Sequence, residues 1–271
     1  MGCKCCIPAA LNVAPEVYAG EAGLPAGIIH VNERSSQTLQ DEFARLIGMS
    51  FCGSTGTAPE GALSWVFDPK SSGDNPSGPL LEEPSAARVR FFEALGKFIS
   101  IQGIRHGGCF ALRDESEKLV AATVTIPPNK KNLHHMGGCE QWYVMNQMGG
   151  MSAMPPELTS GPSEKRSGLL EKTMLQSHKS HASGEHLYVF AFATALGEQG
   201  KGYGRKLMEF LVASADRMNV PAYLECSGAK NERFYNNNGY QLKQRYPIEF
   251  QGDSFKPDGL DGMAAMVYKK V

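Results

Sequence analysis

The sequence predicts a mixed α/β fold in which helices pack on a central sheet. The clearest support is a hydrophobic strand (Leu187–Thr194) that leads through a glycine-rich turn into an amphipathic helix at 204–218. A hairpin is also predicted, because two apolar segments, Cys109–Arg113 and 118–126, flank a polar turn. Strands that alternate with helices along the chain are typical of such sheets.

The first third of the chain contains weaker signals. Residues 1–27 have the composition of a flexible tail, rich in Ala, Pro and Gly. A first strand is predicted at 28–33, and Ser35 or Ser36 is suited to cap the helix that follows, whose apolar residues share one face. Residues 53–80 are rich in Gly, Ser and Pro and predict a long loop.

The remaining elements complete the predicted sheet. A second helix is expected at 84–100 and a third at 163–176, the latter inside a stretch that is otherwise difficult to assign. Further along the chain, the predicted elements are a strand at Ala222–Cys226, a short helix at 231–237 and closing strands at 240–245 and 263–269. We therefore expect a single domain over 28–271, with loop insertions at about 51–82 and 127–185.

The composition argues against several functional classes. The 271 residues carry a formal net charge of -1, so no global attraction to nucleic acid is expected. No run of about 18 apolar residues occurs, which predicts no transmembrane helix. The seven cysteines are odd in number and unevenly spaced, which favours a reducing, cytoplasmic setting over a disulfide framework. No His and Cys spacing matches a standard tetrahedral motif, so no metal is expected.

The turn before the helix at 204–218 has the features of an anion site. Glycines at 200, 202 and 204 permit positive φ and a close backbone approach, so that several N–H groups converge. The start of the helix adds unpaired donors and a partial positive charge. Neither the Walker pattern nor the dinucleotide pattern fits, because Leu207 stands where the latter needs its third glycine. The turn therefore predicts binding of a phosphate or pyrophosphate of another kind.

The spacing of Gln199, Gly202 and Gly204 fits the pattern Gln/Arg-x-x-Gly-x-Gly/Ala. It resembles the pyrophosphate loop of the GNAT superfamily of N-acetyltransferases. This resemblance implies a mixed, mostly antiparallel sheet flanked by helices on both faces, and acetyl-CoA as co-substrate. By position, the residues implied to contact the pyrophosphate are Gln199, Gly200, Lys201, Gly202, Tyr203 and Gly204, with Arg205 nearby.

The next segment extends the resemblance. Asn231, followed by Phe234 and Tyr235, is similar to the family's helix after strand five, where an Asn helps to hold CoA and a Tyr protonates the departing thiolate. A phenol is suited to that step, because it is a stronger acid than the amide product. The resemblance also implies that the main chain of Phe192, Ala193 and Thr194 holds the pantetheine arm and polarises the thioester carbonyl.

The general base is less well defined by the sequence. The attacking amine must be neutral, so a nearby group has to accept a proton. Glu225 alternates with Leu224 and Cys226 on its strand and stands where related enzymes carry a Glu. Glu185 and His186, at the entry to the preceding strand, are alternatives that act directly or through water.

The predicted function is transfer of an acetyl group from acetyl-CoA to a primary amine of a small molecule, by direct attack in a ternary complex. The sequence looks most like the puromycin N-acetyltransferase branch, although Thr194-Ala-Leu196 replaces the Val-x-Pro that often precedes the loop there. Two alternatives remain: acetylation of a protein or peptide, and a membrane-tethered module that binds acyl-CoA without turnover.

The N-terminus resembles a dual-acylation signal. Gly2 would be myristoylated after removal of Met1, and Cys3, Cys5 and Cys6 palmitoylated. Two lipid signals are needed because one myristoyl chain binds membranes only marginally. The match is imperfect, since Cys6 stands where Ser or Thr is usual. Acylation would anchor the protein to the cytosolic face of a membrane. The alternatives are a disordered tail with free thiols and a thiolate metal site that lacks a fourth ligand.

Overall fold

A computed structural model describes residues 15–68, 70, 73–128, 138–150 and 154–269, and of residues 138–141 and 158 the backbone alone. The helices are α1 (Glu16–Ala19), α2 (Gln37–Cys52), α3 (Gly61–Phe67), α4 (Ala86–His106), α5 (Gly138–Met148), α6 (Pro156–Thr159), α7 (Gly161–His181), α8 (Tyr203–Met218) and α9 (Ala229–Asn237). The strands are β1 (Ile28–Val31), β2 (Cys109–Arg113), β3 (Leu119–Ile126), β4 (Leu187–Thr194), β5 (Ala222–Cys226), β6 (Gln241–Tyr246), β7 (Glu249–Phe250), β8 (Asp253–Ser254) and β9 (Met263–Tyr268).

Among the described residues, seven strands form the central sheet in the order β1-β2-β3-β4-β5-β9-β6. Every neighbouring pair in this sheet is antiparallel except β4 and β5, which run parallel. The predicted fold class, a mostly antiparallel sheet flanked by helices, is therefore confirmed.

Helices cover both faces of the sheet. On one face, Leu207 and Leu211 of α8 pack with Leu187 and Val120 in a single buried cluster. On the other face, α2 and α4 pack against the sheet through Phe43, Ile47 and Ile99, among others. Burial of each such side chain contributes about 1.5–3 kcal/mol, so the two clusters fix where β4 and β5 lie.

Several predicted boundaries agree closely with the structure. The strands Cys109–Arg113, Leu187–Thr194 and Ala222–Cys226 occur with the predicted bounds. Ser36 caps α2, since its hydroxyl accepts a hydrogen bond from the Leu39 N–H at 3.3 Å. The helix at 204–218 begins one residue earlier, at Tyr203.

The predicted loop at 53–80 contains a helix. Helix α3 is seven residues long, too short for a periodic pattern to stand out from a Gly- and Ser-rich surrounding. The Glu60 carboxylate caps it by accepting a hydrogen bond from the Leu63 N–H at 2.7 Å. Trp65 and Val66 are buried, so the apolar residues of this segment belong to a packed element.

The predicted tail at 1–27 also differs from the structure in its last part. Residues 16–22 are helical, and Tyr18 is fully buried against Phe110, with ring centroids 4.5 Å apart. The Tyr18 hydroxyl bonds Thr125 at 3.0 Å, and its carbonyl accepts a hydrogen bond from Ser214 at 2.9 Å. One buried aromatic side chain thus joins this segment to the domain. Gly2, Cys3, Cys5 and Cys6 lie outside the described residues.

Across the ranges that the structure describes, no helix combines the length and the hydropathy that crossing a bilayer requires.

Candidate active site

The sheet opens between β4 and β5. The two parallel strands pair only through Leu187 with Ala222 and Tyr188 with Tyr223. Both strands continue beyond this point without pairing further with each other. Their separation leaves the facing backbone groups of β4 free to bind a ligand.

A β-bulge contributes to this separation. The register between β3 and β4 shifts by one residue, because Val124 pairs with Ala191 but Thr125 pairs with Val189. Phe190 is the extra residue, and such bulges bend a strand and increase its twist. Beyond the bulge, the Ala195 N–H donates to the Val120 carbonyl.

Backbone groups alternate in direction along an antiparallel strand. Because the Ala195 N–H points to β3, the N–H groups of Phe192 and Thr194 point the other way, into the gap. The Thr194 carbonyl accepts a hydrogen bond from the Ser50 hydroxyl of α2 at 3.0 Å. Two backbone donors in the gap therefore stand where the resemblance implies contacts with pantetheine and the thioester.

A cavity of about 810 Å³ occupies the gap. It brings together nearly all the residues implicated by the sequence. Those that line it are Phe192, Ala193, Thr194, Gln199, Gly200, Gly202, Tyr203, Gly204, Arg205, Glu225, Asn231 and Tyr235. Lys201 is the exception, because its ammonium group pairs instead with Glu198 at 2.8 Å.

The glycine turn has the predicted backbone conformation at two positions. Gly200 and Gly202 have φ of 82° and 89°, and open space surrounds both. Gly202 is the N-cap of α8 and supplies no side-chain acceptor, so the first N–H groups of the helix stay available for an anion. Gly204 does not have positive φ; a Cβ there would lie 2.9 Å from the Thr194 hydroxyl. The third glycine is needed for close packing.

Glu225 lies at the side of the cavity between two phenols. Its Oε2 accepts a hydrogen bond from Tyr188 at 2.8 Å, and its Oε1 accepts one from Tyr223 at 2.7 Å. Burial raises the pKa of Glu225 to about 7, against the lowering effect of the two phenols. A carboxyl with this pKa accepts and releases a proton readily near neutral pH.

Tyr235 and Asn231 approach the cavity from α9. Burial raises the pKa of the Tyr235 hydroxyl well above its ordinary value, so the group stays protonated and able to donate. The Tyr235 hydroxyl has no hydrogen-bond partner among the described residues. The Asn231 amide donates to the Ser227 carbonyl at 2.9 Å, which fixes its side chain at the start of the helix.

The site also contains groups that the sequence analysis did not identify. The sequence analysis assigned Tyr188 and Tyr223 only to strands. Both side chains reach Glu225 because the register of β4 and β5 pairs the two tyrosines. Glu60 lines the cavity as well, where burial raises its pKa and its Oε1 accepts a hydrogen bond from Ser227 at 2.6 Å. It stood in a predicted loop, so no pattern placed it beside β5.

The alternative general bases, Glu185 and His186, lie outside the cavity lining. Glu185 is exposed, and neither it nor His186 is among the described residues that line the cavity. His186 Nε2 lies 2.6 Å from His178 Nε2, and burial lowers the pKa of His186. No group of three or more His, Cys, Asp or Glu side chains suited to a metal ion occurs in the described part of the chain.

The other half of the cavity is mainly apolar. Its lining residues come from α2, α3, α4 and α7, and they include Glu171 as a further acidic group. The apolar residues that line it are Phe51, Leu63, Leu95, Phe98, Leu170 and Met174. Neither Glu60 nor Glu225 forms an ion pair, so both of these carboxyls lack a cationic partner among the described residues.

One protein-family model matches part of the chain. A model of the Acetyltransferase (GNAT) family matches residues 170–240, which run from the middle of α7 to the residue before β6. No curated protein matches the chain.

Solved structures share the fold along nearly the whole chain. Arylalkylamine N-acetyltransferase 2 from Aedes aegypti is 11% identical, with a TM-score of 0.54 over 89% of this chain and 97% of that one. A polyamine N-acetyltransferase of Drosophila melanogaster that forms N-acetylagmatine is 16% identical, with a TM-score of 0.52 over 90% and 99%. A structure from Corynebacterium glutamicum, described as histone acetyltransferase HPA2 and related acetyltransferase, is 13% identical, with a TM-score of 0.52 over 90% and 96%.

These likenesses establish a common architecture. The match to the Acetyltransferase (GNAT) family model is confined to residues 170–240.

Proposed function

We propose that the protein is an N-acetyltransferase that moves an acetyl group from acetyl-CoA to a primary amine of a small molecule. One observation carries the proposal: a single cavity between the separated β4 and β5 holds an uncapped helix N-terminus, inward-facing amides, Glu225 and Tyr235. The helix N-terminus is suited to phosphates, and the amides are suited to a thioester carbonyl. Glu225 and Tyr235 are suited to proton transfer.

The residues present fit acetyl-CoA as co-substrate. The pyrophosphate would lie on the N–H groups of the turn from Gln199 to Gly204, where the glycine positions leave open space. Asn231 would help to hold the cofactor from α9. The pantetheine arm would follow β4, with the N–H groups of Phe192 and Thr194 as donors.

The proposed reaction needs two proton transfers. The amine nitrogen attacks the thioester carbonyl carbon, and Glu225 takes the proton that the nitrogen loses. The carbon–sulfur bond then breaks, and Tyr235 donates a proton to the thiolate. The products are an amide and free CoA, and the two side chains exchange their protons with solvent before the next turnover.

The acceptor is proposed to be an amine attached to an apolar body. The half of the cavity lined by α2, α3, α4 and α7 would take the apolar part. The carboxyls of Glu60 and Glu225, when ionised, would favour a cationic amine on approach. Among the structural neighbours, one is an arylalkylamine N-acetyltransferase and another acts on a polyamine, which supports a small amine as acceptor.

The test is binding followed by turnover. Acetyl-CoA at a hundred times its Kd should add about 2.7 kcal/mol to the free energy of unfolding. Thiol release should then depend on an added amine, with arylalkylamines, agmatine and lysine peptides compared at equal concentration. Peptide-only turnover would instead assign a protein acetyltransferase. Stabilisation without turnover would assign an acyl-CoA-binding module, and no stabilisation would overturn the proposal.

We also propose that the chain belongs to the GNAT superfamily and, within it, to the puromycin N-acetyltransferase branch. The similarity of segments such as Trp65–Asp68 and 199–202 to puromycin N-acetyltransferases supports that branch. Including puromycin in the amine panel tests it directly, since turnover with puromycin well above that with agmatine is expected.

We also propose that the protein is cytoplasmic and is anchored to a membrane by acylation of Gly2 and of Cys3, Cys5 and Cys6. The sequence Met-Gly-Cys-Lys-Cys-Cys supports it. In cells fed alkyne-labelled myristate, the wild type should incorporate label and move with membranes. The Gly2→Ala variant should do neither, and an unlabelled wild type would contradict the proposal.

A further inference from the structure

The carboxyl of Glu225 is held by an ordered set of hydroxyl groups from three elements. Tyr188 comes from β4, Tyr223 from β5 and Ser177 from α7. Ser177 Oγ lies 2.6 Å from the Tyr223 hydroxyl, which in turn donates to Glu225 at 2.7 Å. Ser177 and both tyrosines are almost completely buried, so water does not compete for these hydrogen bonds.

The direction of this chain of hydrogen bonds follows from proton counting. A hydroxyl group carries one proton. Tyr223 uses its proton on Glu225, so Ser177 must donate to Tyr223. Tyr188 supplies the second donor, and each carboxylate oxygen accepts one phenol. When Glu225 is ionised, the two phenols therefore donate to it directly, and Ser177 donates to one of these phenols, that of Tyr223.

The rings of Tyr188 and Tyr223 are held in place by contacts with His178. His178 of α7 stacks on Tyr223 with centroids 5.1 Å apart and an interplanar angle of 11°. Its ring lies 4.7 Å from that of Tyr188. These contacts fix the tyrosines at the one place where β4 and β5 are still paired, immediately before the gap opens.

We propose that Ser177, Tyr223 and Tyr188 form a directed hydrogen-bond relay that orients Glu225 towards the cavity and stabilises its ionised form. They are positioning residues, because they act through Glu225 and not on the substrate. This inference rests on the proposed function for its consequence in catalysis, but the relay itself is a property of the protein without ligand.

Other titratable groups lie near the relay. His178 and His186 are on the side of α7, Tyr246 of β6 bonds His181 at 3.0 Å, and Glu60 lines the cavity on the side of α3. Burial works against ionisation of Glu225, and the two phenols favour it. Removal of one phenol hydroxyl should therefore raise the pKa of Glu225, because only the ionised carboxylate needs both donors.

The experiment measures that pKa directly. Protein labelled with ¹³C at the glutamate side-chain carboxyls is titrated by NMR, and the Glu225 signal is the one absent in Glu225→Gln. The wild-type midpoint should lie at about 7. In Tyr223→Phe and in Tyr188→Phe it should rise by about one pH unit, the order expected for one hydrogen bond to a charged group. In Ser177→Ala it should rise by less.

Tyr246→Phe is the matched control, since it removes a phenol hydroxyl from the same buried cluster without touching Glu225. Its Glu225 midpoint should equal that of the wild type. Unchanged midpoints in both Tyr223→Phe and Tyr188→Phe would overturn the relay, as would an equal rise in Tyr246→Phe.

If the enzyme turns over, the acid limb of kcat/KM should move upward with the NMR midpoint in each variant, and the plateau at high pH should be retained. A lowered plateau with no shift would indicate only a structural role and would contradict the inference. Absence of turnover in the wild type would defeat the proposed function, while the NMR titration would still decide the relay.

Discussion

At the scale of single residues, opposing effects on Glu225 set its chemistry. Burial alone would keep the carboxyl protonated, and the phenols of Tyr188 and Tyr223 alone would keep it ionised. Their balance, a pKa of about 7, leaves both forms populated near neutral pH. A base that must bind a proton and lose it again in each turnover needs this property.

Glu225→Gln should lower kcat/KM by about 10²–10⁴-fold, since an amide cannot accept the amine's proton. Binding of acetyl-CoA, measured by thermal shift, should be unchanged. In the wild type, kcat/KM should rise with pH through about 7, because the ionised form is the active one. The control is Glu185→Gln, an exposed residue outside the cavity, with wild-type activity expected. Loss of activity in Glu185→Gln but not in Glu225→Gln would show that Glu225 is not the base.

Tyr235→Phe should reduce kcat by about 10²-fold, because the thiolate would then leave without a proton donor. The KM for acetyl-CoA should change little. Tyr240→Phe is the matched control: its ring lies 5.8 Å from that of Tyr235, but its buried hydroxyl has no partner in the described structure. Removing that hydroxyl should leave activity intact and should not lower stability. Full activity in Tyr235→Phe would show that Tyr235 is not the proton donor.

At the scale of elements, the turn before α8 separates two uses of glycine. Gly200 and Gly202 provide left-handed backbone at the cavity, whereas Gly204 permits close packing on β4. The sequence alone predicted the anion site but assigned all three glycines the same role. Their difference depends on Thr194, whose distance from α8 is fixed by the fold and not by local pattern.

Gly202→Ala should weaken acetyl-CoA binding about tenfold, since a methyl group would project into the space where phosphates approach. It should also cost about 1 kcal/mol or more of stability, because alanine is strained at a φ of 89°. Gly197→Ala makes a useful comparison, with a φ of 80°, open space and no place in the cavity lining. It should lose similar stability in urea titration yet bind acetyl-CoA normally. Equal binding by both variants would count against the loop's role.

Helix α4 illustrates where local patterns fail. Its end was predicted near residue 100, but it continues to His106 and terminates at Gly107 in left-handed conformation. Position 103, inside the helix, requires a glycine because a Cβ there would come within 2.4 Å of Val124 and 2.6 Å of Cys109. A glycine that serves close packing cannot be distinguished by sequence from one that ends a helix.

At the scale of the whole molecule, the last third of the chain was the most predictable part. Its strands and helices are strongly periodic, and the motif residues Gln199 to Tyr235 are close in sequence as well as in space. The acceptor half of the cavity draws on α2, α3, α4 and α7, which are distant in sequence. No local pattern indicates that Glu60 meets Ser227, since 167 residues separate them.

The N-terminal segment also belongs to this scale. Tyr18→Ala should cost about 3–5 kcal/mol, because it leaves a cavity beneath Phe110 and α8. Val17→Ala, at a neighbouring position that is 46% exposed, should change stability by no more than about 0.5 kcal/mol. Urea unfolding of the two variants checks this, and equal stabilities would show that residues 16–22 do not contribute to folding.

The two-residue ladder between β4 and β5 has a consequence for cooperativity. It is the sole backbone pairing between the four strands β1 to β4 and the three strands β5, β9 and β6 within the described sheet. A molecule bound across the gap contacts both groups of strands and so couples their opening. Amide hydrogen exchange in β5 and β9 should therefore slow when acetyl-CoA binds, even at positions far from it. A bound co-substrate would then also be a part of the architecture, because it would bridge two groups of strands whose backbones pair at only two residues.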